Sequence, residues 1–500
     1  MNLFKFFNLK QQCPPINVQQ KLGLLSVCLV LAQFGHAEEL SYSQAERIVL
    51  NQSYTTQAAQ SLQQAAQLNS EAVKYLALPH VSLNVRAYAF RSETNVPLDK
   101  TKQNIQNSIS QGLNNQMSDI QSQLGLSSEA INTINQGTQQ AVNSGVNLIP
   151  DNVDVTVKDH AITPTVSVMM PLYTGGLVTT TQRIAKLQAD RSTLGDQQQQ
   201  NIQRFEIIQN YFNVQLQQQL LDIAQLNLST MQKHVDNALK LEKQGFISKG
   251  QRMQFEVARN AALRALQSVQ AEKRNSQFVL HNLLRNEQNV ELSTPLFIQR
   301  HMTQNLTSLM QTYAQKSALI QKMQLDSAIA AQNVKLQNAA RKPSLYAFGE
   351  YGLDDHHNWI VGIAARYNLF SGINFKKKAQ AAEFERQAAE LSTERGKQEI
   401  ENLLFKAFSS MDRSQKTHVL LQQNKAAAQE NLRIQTLSFK EGMGTPTQII
   451  DAENALNAIR AEEAINAYQY ILSLATLLQS HGSLEQFKTY TTLPNTDYIR

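Results

Sequence analysis

The chain has 500 residues, of which only 19 are Gly and 11 are Pro, while Gln, Ala, Asn and Leu dominate. That composition excludes a turn-rich mosaic of small domains and suits long helices with small residues on their packing faces. The formal charge of +6 is too small for a nucleic-acid binder, and no run of 18 apolar residues exists to make a spanning helix.

Residues 1–37 read as a secretory signal peptide. Lys5, Lys10 and Lys21 give the positive start, Leu22 to Phe34 the apolar core, and Gly35-His36-Ala37 the small-x-small cleavage site. Both cysteines, Cys13 and Cys28, lie in this segment, so the mature chain would have neither disulfides nor thiolate chemistry. Val27 stands before Cys28 where lipidation wants a small residue. Removing three lysines leaves 43 basic against 40 acidic residues, or +3.

A helix is expected from Ser41 to Ala77, with Ser41 as N-cap and Gln44 as its capping-box partner. After Leu78-Pro79 the period changes to two: Val81, Leu83, Val85, Ala87 and Ala89 alternate with Ser82, Asn84, Arg86, Tyr88 and Phe90. The expected strands are about 80–91, 163–172, 344–352 and 358–370. In the last, Trp359, Val361, Ile363, Ala365, Tyr367 and Leu369 make one apolar face opposite Gly362, Ala364, Arg366 and Asn368. At ~3.3 Å per residue and a ~40° tilt, Trp359 and Tyr367 stand about 20 Å apart in height, close to the ~25 Å between the aromatic girdles of an outer-membrane barrel. The polar face would carry Arg86, Glu350 and Arg366 toward a lumen.

The first strand pair encloses about 67 more residues than the second, roughly Ser92 to Lys158, rich in Gln, Asn and Ser. Ile105, Ile109, Leu113, Met117, Ile120 and Leu124 recur there at helical spacing. The spacing leaves two readings open, short amphipathic helices over the strand ends or a partly mobile segment; as a hypothesis the insert caps or narrows the outer opening. Long helices are expected over Gly176–Gln244 and Ile373–Glu441, ~105 Å each, with Phe205, Ile208, Phe212, Leu216, Leu220 and Ile223 as a coiled-coil seam. Shorter returning helices, Lys249–Gln288, Thr303–Arg341 and Pro446–Gln479, pair with them end to end. The link 290–302, with Pro295, and the tail 482–500 belong near the middle of such a rod.

The chain is an internal duplication. Pro171-Leu172-Tyr173-Thr174-Gly175-Gly176 and Asn368-Leu369-Phe370-Ser371-Gly372 each end a strand and open a long helix. Gly175 precedes Gly372 by 197 residues, and Gly245 precedes Gly442 by the same 197. The first repeat is 38–289 and the second 303–481. At the tips, Gly245 and Gly442 are C′ glycines followed by the N-caps Ser248 and Thr445, with Pro446 at N1. Four strands cannot close a barrel in lipid, so copies must associate; two would give eight strands and three twelve.

These junctions and tips, with their repeat, resemble the TolC-like outer membrane efflux proteins over residues 40–480. The resemblance implies a mainly helical fold with a small β part. It also implies a homotrimer with a twelve-stranded barrel in outer-membrane lipid and a helical tube crossing the periplasm. Its partners would be a periplasmic adaptor and an inner-membrane pump, either a drug exporter or an ABC-type (type I) secretion transporter. In the family, acidic side chains six and nine residues after the second tip glycine narrow the mouth. Here these positions are Gln448 and Asp451, and Gln251 and Gln254 in the first repeat, implying one carboxylate ring and weaker cation selectivity. The adaptor would grip Gly245, Ser248, Gly442 and Thr445. No catalysis and no cofactor is expected. Asp354-Asp355-His356-His357 is a polar turn rather than a metal site, and Lys376-Lys377-Lys378 a basic collar. The reading from another class is a trimeric coiled-coil structural or adhesive rod, which needs no apolar strand faces with aromatic borders.

Overall fold

The computed structural model describes residues 39–89, 160–286, 290–301, 305–355, 357–370 and 372–499, together with isolated helical residues between 102 and 145. The expected signal peptide with both cysteines, most of the insert, and His356 lie outside the described residues.

Two repeats account for most of the elements. The first runs β1 (Glu39–Leu40), α1 (Tyr42–Gln52), α2 (Tyr54–Ala72), β2 (His80–Ala89), β3 (His160–Tyr173), α3 (Leu177–Lys243) and α4 (Lys249–Leu284). Two short strands, β4 (Glu291–Leu292) and β5 (Leu296–Gln299), form the link. The second repeat runs α5 (Leu306–Lys316), α6 (Ala318–Ala339), β6 (Ser344–Gly352), β7 (Trp359–Arg366), α7 (Phe375–Lys440) and α8 (Pro446–His481), and the tail carries β8 (Thr496–Ile499). Tyr42 and Leu306, Tyr54 and Ala318, and His80 and Ser344 start equivalent elements 264 residues apart, whereas Lys249 and Pro446 are 197 apart. The difference of 67 is the insert within the first strand pair.

The helix expected over Ser41–Ala77 is broken at Ser53, and Thr303–Arg341 is broken at the equivalent Ser317. Both serines are extended, with ψ of 128° and 112°, and each N–H still donates back to a carbonyl of the preceding helix. Ser53 Oγ then accepts from Thr56 N at 3.5 Å and starts the next helix. Serine competes with helix this way because its short hydroxyl satisfies backbone donors locally. Ser41, Ser248, Asn305, Asn374 and Thr445 cap the helices that follow them, whereas the helix expected over Lys249–Gln288 ends at Leu284, before the left-handed Arg285. Ser41 and Gln44 make the expected capping box, with Ser41 N donating to Gln44 Oε1 at 2.8 Å. Leu177–Lys243 and Phe375–Lys440 span ~100 Å each.

β2, β3, β6 and β7 form one antiparallel sheet in that order, so β2 and β7 are its two edges. The helices repeat the same width. α2, α3, α6 and α7 lie side by side toward the sheet; α4, α3, α8 and α7 do so toward the tips. At mid-length, β1 pairs parallel with β4, and β5 pairs antiparallel with β8. The largest core sits here. Tyr42, Tyr211, Phe212, Phe297 and Phe487 are fully buried, with ring centroids 5.1 to 6.1 Å apart. Tyr211 donates its hydroxyl to Leu40 O at 2.7 Å and accepts from Thr294 N at 2.9 Å, so one side chain satisfies two irregular backbone segments.

Candidate functional site

The sheet has two chemically opposite faces. Val81, Leu83, Val85, Ile162, Val361 and Ile363 stand exposed on one, between 62% and 72% of their full area. An apolar surface of this size, presented by alternate residues of adjacent strands, needs an apolar solvent or a partner. Trp359 and Tyr367 are exposed, at 72% and 60%, at the two ends of the β7 segment; Tyr367 lies one residue beyond the strand.

The other face is polar and internally bonded. Ser82 Oγ and Ser167 Oγ are 2.6 Å apart, and Asn84 Nδ2 donates to Ser167 Oγ at 3.0 Å. Arg86 Nη2 reaches Glu350 Oε1 at 3.2 Å, so two of the expected lumen residues pair with each other. Arg366 is half-buried and donates to Asn368 Oδ1 at 3.2 Å. It lines a small recess with Lys342, Tyr346 and Gly137.

The tips are two helix turns closed by glycines. Gly245 and Gly442 have φ of 81° and 74°; Phe246 N donates to Leu241 O, and Met443 N to Ser438 O, both at 2.9 Å. Phe246 and Met443 are 74% and 80% exposed beside them. Gln251 and Gln448 occupy capping boxes. Gln251 Oε1 accepts from Ser248 N, and Gln448 Oε1 from Thr445 N, both at 2.8 Å. Their amides are therefore turned back onto their own N-caps. Asp451 and Gln254 are exposed on the following turns.

Several side-chain pairings between distant elements have no signal in residue spacing. His234 stacks on Phe255 with centroids 5.4 Å apart, and its Nε2 lies 3.9 Å from Glu453 Oε1, joining α3 to α8 near the tips. Glu463, nearly buried, accepts from Lys425 Nζ at 2.7 Å between α7 and α8. At mid-length Arg300 grips Asp497 with contacts of 2.9 and 2.7 Å, and His418 Nε2 lies 3.3 Å from the same carboxylate. Arg300, with His418 beside it, holds the Asp497 carboxyl below its usual range. Glu46 is 3.1 Å from Arg204, yet burial outweighs the arginine and raises its pKa. His481 bonds Thr312 Oγ1 and Ser483 Oγ, each at 2.9 Å; burial and nearby Lys316 lower its pKa. Among the described residues, no group of three or more His, Cys, Asp or Glu gathers as a metal site.

Residues 309–483 match the model of the outer membrane efflux protein family. Among solved structures, the chain is similar to CusC at TM-score 0.68 and 13% identity, covering 88% of this chain and 92% of that one. VceC from Vibrio cholerae gives TM-score 0.67 and 13% identity, covering 88% and 96%. The MtrE outer membrane channel of Neisseria gonorrhoeae in its open state gives 0.66 and 13%, covering 89% of both chains. No curated protein matches the sequence. Over residues 309–483 the chain thus matches the outer membrane efflux protein model, and the described chain carries the fold of these outer-membrane channels.

Proposed function

We propose that the protein is the passive exit duct of an efflux or secretion system, a homotrimer seated in the outer membrane and reaching into the periplasm. One observation carries the reading: the sheet is an open, two-edged segment with an exposed apolar face. In lipid the outward N–H and C=O groups of the edge strands β2 and β7 need ladder partners, and no further strand of the described chain pairs with either edge. A second and third copy supply those partners. The edge helices repeat the pattern, with Leu62 and Leu68 of α2 and Phe384 and Leu391 of α7 all more than 64% exposed. A soluble rod would require the second set but not the first, which favours the duct over the structural rod.

In this reading Arg86, Glu350 and Arg366 line the barrel, and Trp359 and Tyr367 sit at the lipid borders. Asp451 and Gln254 ring the periplasmic mouth, while Gln448 and Gln251 stiffen it from behind. The tip residues Gly245, Ser248, Gly442 and Thr445, with exposed Phe246 and Met443, are the surface for a periplasmic adaptor, which couples the duct to an inner-membrane pump. An N-terminal signal peptide would deliver the chain. The protein performs no chemistry; the pump supplies the energy. Membrane fractionation followed by cross-linking tests this. The duct requires detergent for extraction and a trimer mass, whereas release into aqueous buffer would overturn it.

A further inference from the structure

The polar face of the sheet is occupied. Helical residues Gly137, Ala141 and Gly145 of the insert stand four apart, the spacing that puts residues on one face of a helix. Ala141 is buried to 1% in a cluster with Tyr346 and Ala364, packed by Met169 and Phe348. The approach is close at both ends. A Cβ on Gly137 would lie 2.6 Å from Tyr346 Oη, and one on Gly145 would lie 2.5 Å from Phe348 Cζ. Phe348 is held from below as well, because a Cβ on Gly362 would stand 2.8 Å from the same Cζ. The ring is thus sandwiched between a glycine of the sheet and a glycine of the insert. Another helical residue of the insert, Gly112, approaches Asn84 on β2 of the same face; its Cβ would be 3.8 Å from Asn84 Oδ1.

We infer that Gly137, Ala141 and Gly145 form the lumenal seat of a plug, resting on Tyr346 and Phe348 inside the barrel. The inference rests on the duct reading, since only closure of the sheet makes its polar face a lumen. It differs from a cap over the outer opening, because the seat lies along the wall. Tyr346 pairs with Ala364 well below the Tyr351–Trp359 pair at the turn end of the β6–β7 hairpin. Gly137 shares the basal recess with Thr174 and Leu177 at the root of α3.

Size decides whether a seated helix obstructs flow. Twelve strands ~4.8 Å apart at a ~40° tilt close at roughly 24 Å between opposite backbones. Each of three seats, one per protomer, lies at most about 12 Å from the barrel axis, so what stands on it narrows the bore. Glycine and alanine at the seat permit this closeness, and the apolar seat would be an anomaly in a water-filled lumen unless something covered it.

The test uses the full-length trimer with Cys13→Ser and Cys28→Ser. In a Gly145→Cys/Phe348→Cys pair, a short bismaleimide should join the two positions within each protomer and fix the conductance at the low wild-type level. Gly145→Leu and Gly137→Leu, which leave the barrel wall unaltered, should unseat the helix and raise single-channel conductance several-fold. Absence of the cross-link, with the thiol of the Gly145→Cys variant freely labelled by a bulky reagent, would overturn the seat. Cross-linking with no conductance change in the two leucine variants would overturn its obstructive role. Extraction without detergent would instead overturn the duct reading itself.

Discussion

Arg86 of β2 lies 3.2 Å from Glu350 of β6, reaching diagonally across β3 and tying the first repeat's hairpin to the second's. Both side chains are more than four-fifths buried, in a face that also holds serines, asparagine and threonines. The two charges balance within each protomer.

Glu350→Gln should leave Arg86 without its acid. Hydrogen bonds to charged groups contribute about 1.5–3 kcal/mol, and the loss should lower the thermal midpoint of the detergent-solubilised trimer. It should also shift the reversal potential in a salt gradient toward anions, because three carboxylates are removed and three guanidiniums remain. An unchanged reversal potential would place this face away from the conducting path.

Gly482 and Gly442 make opposite demands on a methyl group. At Gly482, φ is 87° and a Cβ would sit 2.3 Å from Lys316 O, a backbone atom that cannot swing away. Gly482→Ala should cost roughly 2–5 kcal/mol, the left-handed penalty plus overpacking. At Gly442, φ is 74° but nothing lies within 4 Å, so Gly442→Ala should cost only about 1 kcal/mol. Denaturant midpoints of the two variants check the ratio.

The tail clasp should be acid-labile. Arg300 and His418 depress the native pKa of Asp497, so its stabilisation is present above the unfolded carboxyl value of about 3.9 and is lost as pH falls through the lower native value. Arg300 is well exposed, and solvent screening keeps the effect small. Melting curves should separate wild type from Asp497→Asn slightly at pH 5 and converge near pH 2.

His481 acts in a higher window. Its pKa is lowered in the native state, so the unfolded chain binds the proton more readily. Its stabilisation is full above about 6.5 and declines as pH falls through the native value. His481→Gln, retaining hydrogen-bonding capacity toward Thr312 and Ser483, should flatten the melting temperature between pH 7.5 and 5, measured by calorimetry.

Much of this architecture is legible in the chain because its signals are periodic. Alternation over Val81–Ala89 and Trp359–Arg366 marks strands and their faces, though it runs on to Leu369, past the strand's end at Arg366; Gly245 and Gly442 mark tips with their caps, and the 197-residue offset marks the duplication. The breaks at Ser53 and Ser317 are not legible, since one extended serine leaves the 3.6-residue pattern intact on either side. The capping roles of Gln251 and Gln448 are carried by Ser-x-x-Gln and Thr-x-x-Gln spacing, as at Ser41, but the same two residues also stand where a pore ring is expected. The pairing of β5 with β8 joins residues about 200 apart through four-residue strands, too short for any local pattern. The seat of Gly137, Ala141 and Gly145 is invisible in sequence because glycine and alanine look like linker and become a contact surface only opposite Tyr346 and Phe348.

Planar-bilayer conductance of the detergent-extracted trimer, wild type and Asp451→Asn, tests most directly whether this chain is a trans-outer-membrane duct with its periplasmic mouth at the second-repeat tip. The expected result is a small, weakly cation-preferring current whose preference falls in the variant, as a ring of three carboxylates becomes neutral. A trimer that carries no current even with Gly145→Leu, or that stays in solution without detergent, would contradict it.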